Sequence, residues 1–99
     1  MSGRGRALFF VVSFDIVDNR TRYRVVKTIK AYGYRVQKSV FECPDMTEEQ
    51  FLKLKRRLDN LIEHTEDTVR FYKICRECLK GVEWIGIGNA PYGETFRVV

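Results

Sequence analysis

The chain has 99 residues, 44% hydrophobic, 31% charged and 13% aromatic, with a formal net charge of +5. That profile describes one globular domain, large enough for a core but only marginally stable unless it also buries surface against a partner, so an oligomer is expected. No apolar run approaches the roughly 20 residues of a membrane span, and nothing resembles a secretory signal, so a cytoplasmic location without a membrane partner is expected. The charge suits a polyanion, but many soluble proteins carry as much, so its placement matters more than its sum.

Met1–Arg6 is a Gly/Arg arm expected to be disordered. Leu8–Phe14 is apolar at odd and even positions alike and rich in β-branched and aromatic residues, which predicts a strand buried on both faces. A chain this short cannot easily cover both faces with helices, so the second face is expected to meet another subunit. The strand ends on Asp15, on the side of Phe9, Val11 and Ser13. A carboxylate at the rim of a sheet is rigidly mounted yet solvated, which suits a catalytic acid. The plainer alternative is that Asp15 and Asp18 only end the strand and cap the next helix.

Val25, Val26, Ile29 and Tyr32 recur at helical spacing and Gly33 supplies a stop, predicting a helix over roughly residues 21–32. Arg20, Arg22 and Arg24 crowd its opening turn, where free N–H groups favour an anion. Either a phosphate sits there, or the arginines form an exposed face balanced by Asp15 and Asp18. Tyr34–Cys43 reads as one long strand or two short ones broken near Lys38–Ser39, with Tyr34, Val36 and Val40 on one face and Arg35, Gln37, Ser39 and Phe41 on the other.

Pro44-Asp45-Met46 is expected to break that strand. Thr47-x-x-Gln50 resembles a capping box opening a second helix, with Phe51, Leu54, Leu58, Leu61 and Ile62 as its apolar stripe. Lys53, Lys55, Arg56 and Arg57 lie mostly off the stripe and read as a solvated face rather than a nucleic-acid contact. Glu63–Asp67 is a polar loop, and His64 within it reads as a solvated residue rather than a ligand. Thr68–Cys75 is a further strand, Arg76–Gly81 a turn, and Val82–Ile87 a strand expected to pair with it in a hairpin. After a Gly/Pro-rich hinge, Thr95–Val99 has strand character and can reach a neighbour's sheet edge. The order implies an α+β, ferredoxin-like sandwich, with two helices on one face of a mainly antiparallel sheet. Its parts are an arm (1–6), one domain (7–88) and a C-terminal hinge and strand (89–99).

Three cysteines are too few for a disulfide framework. Cys75-Arg-Glu-Cys78 has CxxC spacing, but a structural zinc site takes four ligands and only Cys43 and His64 remain to complete one. Buried or loop thiols are the bland reading, and a metal or redox role the sharper one. The chain lacks GxxxxGK[ST], GxGxxG, HExxH and GxSxG motifs. Neither YRVQKSVF nor TVRFYKIC matches the signature strand of an RNA recognition motif.

The segments VSFDIVDN, RTRYR, KAYGYRVQKSVFEC, TVRFYKIC and VEWIG, from about Leu8 to Ile87, resemble the CRISPR-associated Cas two (Cas2) family, the small nuclease-like subunit of the spacer-acquisition complex. The resemblance implies a homodimer whose sheets face each other, the C-terminal strands extending or exchanging across it. It further implies metal-dependent endonuclease activity on single-stranded RNA or double-stranded DNA, with Mg2+ or another divalent cation such as Mn2+, and the Cas one (Cas1) integrase as partner. Asp15 corresponds to the key carboxylate, the expected catalytic and metal-binding residue, Arg22 and Arg24 to the helix-start arginines, and Arg35, Ser39 and Phe41 to the strand residues, which together with Arg20 are expected to bind nucleic acid. Where the family commonly has tyrosine before the aspartate, this chain has Phe14, so no hydroxyl is available there. The residues themselves are compatible with two Asp15 carboxylates brought together by a twofold axis, sufficient protein ligands for magnesium in principle. The alternatives are a non-catalytic DNA-bridging scaffold, a toxin-like endoribonuclease and a small-molecule-sensing module.

Overall fold

The computed structural model describes residues 7–87. Its elements are β1 (Leu8–Asp15), α1 (Asn19–Lys30), β2 (Tyr34–Gln37), β3 (Val40–Met46), α2 (Glu48–Leu61), β4 (Thr68–Ile74) and a single-turn α3 (Arg76–Leu79). The strands form one antiparallel sheet ordered β2-β3-β1-β4. With its βαββαβ succession this is the expected ferredoxin-like sandwich. The N-terminal arm, the C-terminal hinge and the Thr95–Val99 strand lie outside the described residues.

β1 is central, and its even-numbered side chains make the core. Phe10, Val12 and Phe14, with Ile16 just beyond, cluster with Val25 and Ile29 of α1, Phe41, Cys43 and Met46 of β3, and Leu54 and Leu58 of α2. Each fully buried chain of this size contributes about 1.5–3 kcal/mol. Phe51 ties α2 to the sheet, stacking on Phe10 at 4.2 Å between centroids and meeting Phe71 edge-on at 5.3 Å. Burial pushes the Cys43 thiol up to about 11, so it is an unreactive core group.

α1 starts two residues before the expected position because Asp18 caps it, accepting from the Thr21 N–H at 2.8 Å and the Thr21 hydroxyl at 3.0 Å. Thr47 and Gln50 form the expected reciprocal capping box on α2. Tyr34–Cys43 resolves into two strands, a β2–β3 hairpin turning at Lys38–Ser39. Pro44 does not end β3, which runs on to Met46. The pairing shifts between Leu8↔Met46 and Phe10↔Cys43, and this irregularity accommodates a residue that has no N–H to give the ladder.

Two further expectations are corrected. Gly33 is not a left-handed helix stop, since among the described residues only Gly86 has a positive φ. It is required because α1 returns tightly onto β3: a Cβ there would overlap the Glu42 carbonyl oxygen and the Cys43 sulfur. Nor does Val82–Ile87 form a strand. Cys75 caps α3 instead of entering a tight hairpin turn, and the side chains of Ile85 and Ile87 stand fully exposed.

Gly33→Ala should therefore lower the unfolding free energy by about 1–3 kcal/mol, as overpacking against backbone does. Gly81→Ala, whose Cβ would be 3.6 Å from its nearest neighbour, should stay within about 0.5 kcal/mol of wild type. Urea titrations with unchanged slope check both.

Candidate functional site

The helices cover one face of the sheet, so the odd-numbered side chains of β1 emerge on the other. There Val11 faces Tyr72, Ser13 faces Arg70 and Asp15 faces Thr68 across the β1–β4 ladder, while Val11 faces Glu42 and Ser13 faces Val40 across β1–β3. Phe9 is buried, Val11 and Ser13 are half-buried, and Asp15 is exposed. Among the described residues, no hydrogen bond or ion pair engages the Asp15 carboxylate. It is a solvated charge on a rigid strand end, with its acceptor oxygens unused.

The loop leaving Asp15 is clamped from two sides. Arg22 donates from Nη1 to Asn19 Oδ1, and from Nη2 to the carbonyls of Ile16 at 2.9 Å and Val17 at 3.3 Å. Asp67, 8% exposed, accepts from the Val17 N–H at 3.0 Å and from the Glu63 N–H at 2.9 Å. One buried carboxylate thus ties the β1–α1 loop to the α2–β4 loop. The Phe14 N–H donates to the Ser39 carbonyl at 3.1 Å, which anchors the β2–β3 turn at the same end of the sheet.

The six residues expected to meet nucleic acid therefore separate. Arg20 and Arg24 are exposed on α1, and Ser39 is half-buried beside the end of β1. Arg22 is drawn inward as a brace for the Asp15 loop. Arg35 is exposed on β2 and lies 5.5 Å over the Phe41 ring. Phe41 itself is fully buried, so its ring supports Arg35 from within the core and offers no surface to a base. The expected anion position at the start of α1 is also altered, because Asp18 occupies the Thr21 N–H.

Reasoning from sequence missed Asp67 and Arg70. Asp67 was indistinguishable from the other polar residues of Glu63–Asp67, because its partner Val17 lies 50 positions away. Arg70 was visible as the polar alternate between Val69 and Phe71, and it projects on the face that carries Asp15. Its Nη1 donates to Tyr72 Oη at 3.3 Å. His64 is exposed and bonds the Asp59 carbonyl at 2.9 Å near the end of α2. A groove of about 490 Å3 between α2 and β4, lined by Leu52, Lys55, Ile62 and Phe71 among others, does not include Asp15. Asp15 lies outside that groove, exposed at the end of β1. Among the described residues no three His, Cys, Asp or Glu side chains are grouped to hold a metal ion. Asp15 alone could offer one carboxylate, a donor of the kind magnesium takes one or two of alongside water and phosphate oxygens.

Residues 8–82 match the model of the family described as CRISPR associated protein Cas2. The chain is 36% identical over 85 residues to the CRISPR-associated endoribonuclease Cas2 1 of Chloroflexus aurantiacus, spanning 85% of this chain and 90% of the relative. It is 36% identical over 91 residues to the CRISPR-associated endonuclease Cas2 2 of Thermus thermophilus, spanning 91% and 94%. In structure it is similar to a chain of a partial Cas6-RT-Cas1–Cas2 complex, with a TM-score of 0.73 and 26% identity over 93% of this chain and 98% of that one.

Asp67→Ala would strand the Val17 and Glu63 N–H groups, and should cost about 1–3 kcal/mol in a urea titration while speeding Val17 amide exchange. The Thr21 amide, and then its hydroxyl, hold the Asp18 carboxyl below the usual 3.8. A lowered folded value means stability present in full above 3.8 and lost as pH falls below 3.8 through the lower folded value. The stability gap between wild type and Asp18→Asn should accordingly close on acidification.

Proposed function

The chain belongs to the CRISPR-associated Cas2 family, and from that premise we propose that it is a homodimeric, divalent-metal-dependent endonuclease that works with Cas1 in spacer acquisition. The observation that carries the catalytic part is the Asp15 carboxylate, exposed and unengaged at the end of the central strand, on the face the helices leave open. That face carries Val11, Val40, Tyr34 and Tyr72, and Tyr72 is 47% exposed. A second copy docking there would cover the apolar side chains and bring a second Asp15 toward the first.

Two Asp15 carboxylates would hold Mg2+ or Mn2+, leaving its other positions to water and phosphate. When bound, such an ion lowers the pKa of an attacking water and offsets charge developing on the phosphodiester. The chain's own residues do the rest. Asp15 fixes the site on rigid backbone, Arg22 and Asp67 hold the loop behind it, and Arg20, Arg24 and Arg70 present cations to phosphates, whereas Arg35, paired with Phe41, lies on the other side of the sheet. The Chloroflexus relative is named an endoribonuclease and the Thermus relative an endonuclease. The substrate of this reading is single-stranded RNA or double-stranded DNA.

A second reading, a DNA-bridging scaffold, is favoured by one observation. The cations are spread over exposed surfaces, Arg20, Arg24 and Lys27 on α1 and Lys53, Lys55, Arg56 and Arg57 on α2, rather than gathered around Asp15. Backbone contacts of that kind give affinity without chemistry.

Asp15→Ala should remain dimeric and bind nucleic acid while metal-dependent cleavage falls by more than the roughly 100-fold that loss of a supporting residue costs a metal site. Chelation should abolish wild-type cleavage. Arg24→Ala should raise KM and flatten the salt dependence of binding with kcat unchanged. Binding without cutting, the same in wild type and Asp15→Ala, would establish the scaffold instead.

A further inference from the structure

β4 ends at Ile74, and the next side chain, Cys75, turns back to cap α3. Its sulfur accepts the Cys78 N–H at 3.2 Å. That bond sets the two cysteines of the Cys-x-x-Cys turn beside one another at the start of α3. Both are free and exposed, in contrast to the buried Cys43. Residues three apart on a helical turn have Cβ atoms about 5–6 Å apart, little more than the roughly 3.5–4.5 Å a disulfide needs, so the bond requires only local adjustment.

We propose that Cys75 and Cys78 form a thiol–disulfide exchange site whose substrate is a low-molecular-weight disulfide of the glutathione class. The roles follow from that hydrogen bond: Cys75, whose sulfur accepts the Cys78 amide, is the attacking thiol, and Cys78 is the resolving one. In the first step the Cys75 thiolate attacks one sulfur of the small disulfide, forming a mixed disulfide and releasing one small thiolate. Cys78 then loses its proton and attacks Cys75 Sγ. The Cys75–Cys78 bond forms and the second small thiolate leaves. Two electrons pass from the protein dithiol to the small disulfide, and the two protons end on the two small thiols.

The neighbouring Cys78 thiol first, and its amide second, lower the Cys75 thiol below the ordinary cysteine value, while the Cys75 sulfur raises the Cys78 thiol. Exchange suits the pair better than a metal, because among the described residues no third His, Cys, Asp or Glu joins it. This site is separate from Asp15 and does not depend on the nuclease reading.

The test incubates the full chain with excess oxidised glutathione at neutral pH and follows intact mass and free thiols. Wild type should lose two hydrogens, retain no glutathione and keep one free thiol, mapped by peptide digestion to Cys43. Cys78→Ser should stop with one glutathione on Cys75, and Cys75→Ser should react at least about tenfold more slowly than wild type. Both positions are exposed, so the serine variants should melt like wild type. A wild type that stays fully reduced, that keeps glutathione on both cysteines, or that links chain to chain would overturn the assignment, as would equal rates in the two serine variants.

Discussion

Covering a sheet on one face imposes a two-residue alternation on its central strand, and the remaining features of this molecule follow from it. Phe10, Val12 and Phe14 are committed to the helices, so Phe9, Val11, Ser13 and Asp15 must point the other way. The core beneath α1 and α2 supplies the rigidity, and the opposite face inherits it without being covered by helices. Asp15 can be solvated and well positioned at once because it is the last residue of a strand paired on both sides.

What lies beyond Asp15 is held by hydrogen bonds rather than by packing. Arg22 takes the carbonyls of Ile16 and Val17, and Asp67 takes the Val17 amide. These bonds satisfy backbone groups that a loop would otherwise leave to water. They also divide the arginines by role. A guanidinium that reaches back over its own loop has fewer donors left for phosphate, whereas Arg20 and Arg24, only two positions away on either side, face solvent. The spacing of three arginines on one helix turn does not make them equivalent.

The far end of β4 follows a different logic. Where a hairpin would have extended the sheet, a cysteine caps a single helical turn, and β4 remains an edge of the sheet among the described residues. The chemistry assigned to the Cys75–Cys78 pair and that assigned to Asp15 thus belong to separate parts of the molecule, Asp15 opposite Thr68 at the start of β4 and the thiols beyond Ile74 at its end.

Local sequence determined most of the elements and their caps. The apolar run ending on Asp15, the Thr47–Gln50 box and the α2 stripe are each set by neighbours within a few residues, where periodicity and capping chemistry act. It also determined the face on which Asp15 would emerge, since alternation is a property of the strand itself. Only tertiary structure decided which polar residues are structural. Asp67 is buried because Val17, fifty positions away, needs an acceptor. Phe41 is core rather than surface because α1 and α2 lie over its side of β3, and Gly33 is small because Glu42 and Cys43 approach it. Such contacts depend on where distant segments meet in space, which no local pattern of residue types encodes.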